Sequence, residues 1–559
     1  MSDPTASAPG RPTGSAGPAP VPAPASTPAS TGDFTGVPHR WWAMAAIALG
    51  TSLVIMDATI ANVALPVVID DLHMTATQAQ WVSAVYSLVF ASLMLTSGRF
   101  GDLFGRRMMF VAGLVVFMAS SLVAGSAGSP EVLLVARLVQ GIGAAMVLPA
   151  TTSTINAMFT GKDRNIAFAI YGSAIGGMAA VGPLVGGWLA TDASWRWAFW
   201  LNVPFGIAAV ILATRYLPET RDRTLRRGID WSGTVLATLG LGGIVFALVE
   251  SSSFGWLHQA DGSLSPVPFA LAGGVVVMGL WVWAEQVRHR RGAIVQAHLG
   301  LWRIANFRYG AIASLVITLG EFGMLFALPL VLQGALGYDA LGTGWLMMVL
   351  AIGTFLMSGA VPQLTRRIGA RRVVQFGVLV EALAVAALAL VLPGTAVSVG
   401  ACLFLYGLGV GMATAQVTSV SLAEVPVGLS GEASGMLTTV RQIGSALGVA
   451  VLGGLLISSL THGTQARLDA IPLPPAARSA VVTAVHDSIG AAIPGLQRDP
   501  RTTAAAELAA EALVDAAKVS TGVAGGILGV GFLATLALAE VSAEETLRRR
   551  GRAESAVDA

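Results

Sequence analysis

The chain has 559 residues, 54% of them hydrophobic and only 11% charged, with a formal net charge of +2. A soluble domain carries about a quarter charged residues, so this composition excludes an ordinary soluble protein, and nothing in the charge points to a nucleic-acid partner. Cys402 is the only cysteine, which excludes an internal disulfide and a cysteine metal cluster.

Residues 1–40 are mostly Pro, Ala, Ser, Thr and Gly. Such a segment buries too little apolar surface to fold and is expected to be a disordered tail. It lacks the charged and apolar regions of a cleavable signal peptide. Fourteen apolar blocks follow, at 43–66, 80–98, 108–127, 131–156, 166–190, 196–216, 231–250, 267–286, 309–333, 341–361, 373–393, 396–420, 433–458 and 521–541. A helix crosses ~30 Å of hydrocarbon with ~20 apolar residues, which these blocks supply. They lack the period-two alternation of membrane barrel strands. The expected fold class is therefore an all-α integral membrane protein with fourteen transmembrane helices.

Charge placement tests that count. With the N-terminus cytoplasmic, the inner segments hold Arg40, then Arg99, Arg106 and Arg107, then Lys162 and Arg164. The next inner group is Arg215, Arg221, Arg223, Arg226 and Arg227, followed by Arg288, Arg290, Arg291, Arg303 and Arg308. Arg366, Arg367, Arg371 and Arg372 come next, and Arg548, Arg549, Arg550 and Arg552 close the chain. The short outer loops hold only Arg196. Arginine and lysine concentrate on the cytoplasmic side of membrane proteins, so an even number of crossings with both termini inside is expected. Segment 459–520 is then long and extracellular, with 503–518 helical by composition. The shortage of lysine beside arginine hints at a GC-rich bacterial genome. Trp41, Trp42, Trp195, Trp197 and Trp200 fall at helix ends, where an interfacial aromatic belt belongs.

The loop Gly98-Arg-Phe-Gly-Asp-Leu-Phe-Gly105-Arg-Arg107 has a weaker counterpart in Gln363-Leu-Thr-Arg-Arg-Ile-Gly369-Ala-Arg-Arg372. The repeat divides the chain into a six-helix bundle at 41–216, a linker with helices 7 and 8 at 217–308, and a second six-helix bundle at 309–541. Residues 542–559 form a cytoplasmic tail.

The residues that carry chemistry are ionisable groups at bilayer depth. Asp57 lies ~21 Å into the first span at 1.5 Å per residue. A carboxylate there costs ~3 kcal/mol on insertion scales, so it should face a cavity or a partner. Binding a proton from one side and losing it to the other would make it a coupling group. The alternative is a structural acid bonded to Thr59, Asn62 or a neighbouring helix. Glu321 lies at nearly the same depth in the ninth span, so the two carboxyls are expected to face one central cavity. Such an arrangement suits protons and cationic substrates. Otherwise Glu321 faces a polar packing partner. Arg137, inside the fourth span, needs a carboxylate or several carbonyls. It either releases an acid upon protonation, forms a permanent ion pair, or snorkels to a surface. Arg441, beside Gln442 and near Gly444 and Gly448, raises the same question in the thirteenth span. Candidate cavity side chains are Asn62, Gln140, Phe322, Phe326 and Gln333.

Three features are expected to serve conformational change. Gly182, Pro183, Gly186 and Gly187 in the fifth span offer a flat, bendable face for close contact between halves. Gly98 and Gly105 shape the first inner loop. Asp102, beside Arg106 and Arg107, would cap a helix or pair with arginine. There is no phosphate-binding G-x-x-x-x-G-K-[ST] sequence, since Lys162 precedes Asp163, so no Walker-type ATP site is present. No catalytic cluster appears either, and the chain is expected not to be an enzyme.

Taken in order, these motifs resemble the major facilitator superfamily, and specifically its fourteen-helix drug:proton antiporters. Gly98–Arg107 is similar to the superfamily's inner loop, Asp57–Pro66 to the first-helix motif, and Arg137–Gly141 to the fourth-helix motif tied to proton transfer. Gly182–Gly187 resembles the antiporter motif, and Trp195–Gly206 the sixth-helix segment of the fourteen-helix branch. The second inner loop departs from the pattern because it has no acid. The resemblance implies a two-bundle carrier in a bacterial inner membrane, acting as a monomer. It would exchange protons for an amphiphilic small molecule moved outward, with no cofactor beyond the proton gradient. A narrow-substrate metabolite exporter or importer is the alternative on this fold, and a membrane sensor a more distant one.

Overall fold

The computed structural model describes residues 39–159, 161–221, 228–259, 263–426 and 429–539. The expected tails, up to residue 38 and from residue 540 on, lie outside the described residues, as do Arg223, Arg226, Arg227 and the arginines at 548–552.

Among the described residues the fold is helical, with no strand. The first helices are α1 (Arg40–Leu72), α2 (Ala76–Phe104), α3 (Arg106–Gly125), α4 (Pro130–Met158), α5 (Gly161–Trp188), α6 (Trp197–Trp200) and α7 (Asn202–Tyr216). Then come α8 (Trp231–Phe254), α9 (Val267–Arg290), α10 (Ala305–Gly334), α11 (Ala340–Ile368), α12 (Ala370–Val391) and α13 (Ala396–Leu422). The last are α14 (Ser430–Asp469), α15 (Pro475–Asp487), α16 (Ile493–Arg498) and α17 (Thr503–Leu536). Thirteen described helical stretches are long and apolar enough to cross a membrane. The 28-residue α5 adds a fourteenth crossing. Helices α6 and α7 form one crossing, because Leu201 between them keeps right-handed helical torsions.

Local sequence sets several starts. Thr75 accepts a hydrogen bond from Gln78 N, and Gln78 accepts one from Thr75 N, the reciprocal box that satisfies two free amides of α2. Ser129 caps α4 ahead of Pro130, which has no amide to satisfy. Asp230, Asp339 and Thr395 cap α8, α11 and α13.

Polar contacts between helix ends check the alternation. Arg40–Asp163, Arg106–Thr220, Arg288–Asp230 and His298–Glu432 join ends that fourteen alternating crossings put on one face. Arg196–Asp71, Gln78–Glu131, Trp81–Glu250 and Leu341–Thr191 join ends on the other. One helix too many or too few would have brought opposite ends together.

Segment 459–520, expected to be extracellular with a helix at 503–518, is helical over most of its length. Helix α14 has 40 residues and α17 has 34, or ~60 and ~51 Å at 1.5 Å per residue. Both outrun the hydrocarbon, and α15 and α16 bridge them beyond it. Arg467 on α14 bonds Asp515 on α17 at 2.5 Å, and Lys518 bonds the same carboxylate at 3.1 Å. The Ala- and Glu-rich stretch thus continues the last crossing, which ends at Leu536 and not at 541.

Helices α1 to α7 pack as one bundle, and α10 to α14 with α17 as another. They meet where α2 lies against α14 and α5 against α11. Ser87 and Ser445 bond at 3.0 Å across the first seam. Helix α8 straddles that seam, with α9 outside it. The most apolar stretch of α1 is 72% buried and that of α9 only 11%, so α1 is a core element and α9 lies at the periphery.

Candidate functional site

Four helices of the first bundle converge on Asp57. Arg137 on α4 donates from Nη1 to Asp57 Oδ2 at 2.5 Å. Asn202 at the start of α7 donates from Nδ2 to Asp57 Oδ1 at 2.8 Å, and Gln140 donates from Nε2 to the same oxygen at 3.1 Å. Gln140 lies three residues after Arg137, so one turn of α4 presents both, and Arg137 Nη1 also donates to Gln140 Oε1 at 2.9 Å. Arg137 Nε donates to Val82 O at 3.3 Å. Its guanidinium sits 4.4 Å from the centre of the Tyr86 ring, a cation–π contact on the remaining face. Ser121 on α3 accepts from Gln140 at 2.7 Å and Asn202 at 3.2 Å.

Asp57 is 1% exposed and Arg137 2%. In so dry a setting a lone charge is prohibitive, and removing one partner of a buried pair costs ~3–5 kcal/mol. Protonating Asp57 removes the negative charge while leaving every atom in place. Arg137 would then keep Gln140, one carbonyl and the aromatic faces of Tyr86 and Phe199. The arrangement can therefore convert a proton into a change in what holds α1, α4 and α7 together. Of the other partners expected for Asp57, Thr59 and Asn62 bond elsewhere, Thr59 to Met56 O at 2.9 Å and Asn62 as acceptor from Ser83 at 3.4 Å, whereas the neighbouring helices α4 and α7 supply all of its donors.

The second bundle holds a different set at the equivalent place. A Cβ on Gly143 would meet Phe117 N at 2.8 Å, and one on Gly409 would meet Glu381 N at 2.8 Å. The crossing of α3 with α4 is thus repeated by α12 with α13. Glu381 stands where Phe117 stands, and Tyr406-Gly-Leu-Gly409 follows Gln140-Gly-Ile-Gly143. Glu381 is fully buried and Tyr406 is 1% exposed. Glu321 on α10 acts electrostatically on both, and Arg441 on α14 acts on Glu321. Glu381 and Tyr406 escaped the sequence reading, although an acid in the middle of an apolar span is a readable signal. So did Asn202, Ser121 and Tyr86, whose roles depend on helix rotation.

Asp57 and Glu321 do not share one central cavity, because Asp57 is enclosed within its own bundle. Among the expected cavity residues, Gln140 is shut inside the Asp57 network. Phe326 is fully buried between α10 and Gly453 of α14, and Asn62 lies buried between α1 and α2. Phe322 is half-buried against the core. Gln333 donates to Val63 O at 3.2 Å and lines an outer cavity of about 290 Å³ with Asp70, Thr191 and Tyr338. Ala491, between α15 and α16, and Pro494, in the first turn of α16, also line that cavity. A second cavity of about 290 Å³ lies between α2, α8, α9, α10 and α14, lined mainly by apolar side chains such as Leu95, Leu241, Met278, Trp281 and Met436.

The glycines of α5 divide their work. A Cβ on Gly182 would clash with Thr59 and one on Gly186 with Ile60, both on α1. Only Gly187, opposite Ala340 O, and Pro183, whose carbonyl faces Gly344, meet the other bundle at α11. In the inner loop Asp102 pairs with Arg106 at 2.9 Å. The free amides of α3 are met instead by Glu219, which accepts from Arg107 N at 3.1 Å and Met108 N at 3.3 Å. Gly105 has φ of 132°, and a side chain there would press on Glu219. Gly98 is in ordinary contact with Pro149.

The family model of the Major Facilitator Superfamily matches residues 47–449. The chain is 34% identical over 452 residues to a probable actinorhodin transporter of Streptomyces coelicolor, covering 77% of this chain and 75% of that one. It is 35% identical to a puromycin resistance protein of Streptomyces alboniger, over 77% of this chain and 85% of the other. It is 30% identical to a multidrug resistance protein of Mycobacterium tuberculosis, over 88% and 90%. Among solved structures, a bacterial homologue of the human lysosomal transporter Spinster, inward-facing and unoccupied, superposes with a TM-score of 0.60 at 17% identity. That likeness covers 90% of this chain and 98% of the other, and it bears on the fold.

Proposed function

The chain belongs to the major facilitator superfamily and is a multi-pass membrane transporter; we propose that it exports small amphiphilic organic compounds, antibiotics or toxic cations among them, in exchange for protons. The buried Asp57–Arg137 pair carries this reading. It is a charge pair that one proton can undo, placed where four helices of one bundle meet. The export and resistance functions named for the relatives support the direction and the substrate class. The apolar cavity beside α8 and α9 supports an amphiphilic cargo. The chain would act as a monomer in a bacterial inner membrane with both termini inside, and would need no cofactor.

A panel of puromycin, other antibiotics and cationic dyes, tested in a host stripped of its own pumps, decides this. Expression should raise tolerance to some of them several-fold, and a protonophore should abolish the effect. Tolerance unchanged across the panel, or efflux that survives the protonophore, would overturn the proposal.

A further inference from the structure

The first bundle balances its buried charges, one carboxylate against one guanidinium. The second does not. Glu381 is fully buried, and with the half-buried Glu321 and Arg441 near it makes two acids for one cation. Arg441 acts on Glu321, which leaves Glu381 without a counter-charge. Both carboxyl oxygens of Glu381 lack a hydrogen-bond partner among the described residues, and so does the Tyr406 hydroxyl. All three atoms are shut away from solvent.

An ionised carboxyl without donors is strongly disfavoured in a dry interior. A neutral acid is not, and its hydroxyl can donate as well as accept. The charged neighbours do not change the balance. Tyr406 on α13 and Glu321 on α10 are near enough to act on Glu381 electrostatically, and neither carboxyl oxygen of Glu381 has a hydrogen-bond partner among the described residues. Helix α11 carries Arg366 and Arg367 in its last turn, and the Asp515–Lys518 pair lies in the N-terminal half of α17. Glu381 lies midway along α12 (Ala370–Val391).

We propose that the second bundle holds its own proton-binding site, in which Glu381 carries the proton, Tyr406 is its hydroxyl neighbour, and Glu321 answers Arg441. The ligand is the proton itself, and the site stands apart from the Asp57 pair in the other bundle. Its role in transport rests on the proton-coupled reading above, but its existence does not.

Infrared spectroscopy of the purified full chain in lipid tests the site without a transported compound. The wild type should show the C=O band of a protonated buried acid at neutral pH, and ¹³C-labelled glutamate should lower its frequency. Glu381→Gln should lose that band, whereas Asp57→Asn and Glu321→Gln should keep it. Tyr406→Phe should shift it. A full band in Glu381→Gln would overturn the proposal, as would a wild type with no glutamate-sensitive band. Should Glu381→Gln fail to fold, Tyr406→Phe in labelled protein decides: no part of the band moving would overturn the assignment. Because glutamate labelling is blind to Asp57, failure here leaves the Asp57 reading standing, and the reverse also holds.

Discussion

The two bundles share a crossing of glycine on glycine, yet they bury opposite kinds of polar group within it. In the first, Phe117 fills the crossing, and one turn on Ser121 joins Arg137, Gln140 and Asn202 around Asp57. Each charge has a partner, and the donors on Asp57 come from α4 and α7. In the second, Glu381 takes the place of Phe117, and neither it nor Tyr406 is matched among the described residues. The same helix geometry thus supports a matched ion pair in one half and a buried, unmatched acid in the other. Local residue choice sets the chemistry, and the repeat sets only where it happens.

The largest effect is expected at the Asp57–Arg137 pair. Arg137→Ala should cost ~3–5 kcal/mol, because it leaves a buried carboxylate unpaired. Thermal unfolding in detergent would read it as a large drop in Tm. Adding Asp57→Asn to Arg137→Met should recover most of the loss. Glu381→Gln should change stability by less than ~1 kcal/mol, since it removes no satisfied partner. Equal losses at Arg137 and Glu381 would erase the distinction.

A smaller effect sharpens it. A Cβ on Gly143 would lie 3.0 Å from Phe117 Cα, and one on Gly409 would lie 2.7 Å from Glu381 Cγ. Gly143→Ala and Gly409→Ala should each destabilise by ~1–3 kcal/mol through overpacking. Only Gly409→Ala should also move the infrared band of Glu381.

The smallest effect lies at the inner loops. Glu219→Gln weakens the cap on α3 and should cost ~0.5–2 kcal/mol. Arg366→Ala, in the loop without an acid, should stay within ~0.5 kcal/mol. Urea or thermal titration of the two variants side by side would show the difference.

Much of the fold was legible because apolar blocks and arginine-rich loops report crossings directly. The partnership of Arg137 with an acid was foreseeable, since a buried guanidinium demands one. Which acid, and through which helpers, was not. Asn202 and Ser121 reach Asp57 only because α7 and α3 are rotated to face it, and rotation leaves no mark on near-uniformly apolar helices. The same limit misplaced Gln140 and Phe326, which read as cavity residues but are buried in packing. In segment 459–520 the Ala-rich stretch signalled the helix that begins α17, while the extension of α14 to Asp469 left no apolar signal to read.

The central claim is that protonation of Asp57 couples the proton gradient to transport. Proteoliposomes carrying wild type or Asp57→Asn, loaded with a compound from the resistance panel and given a pH gradient, test it most directly. The account predicts gradient-driven uphill movement by the wild type and none by Asp57→Asn, which should still exchange labelled for unlabelled compound. Uphill movement by Asp57→Asn at the wild-type rate would contradict it.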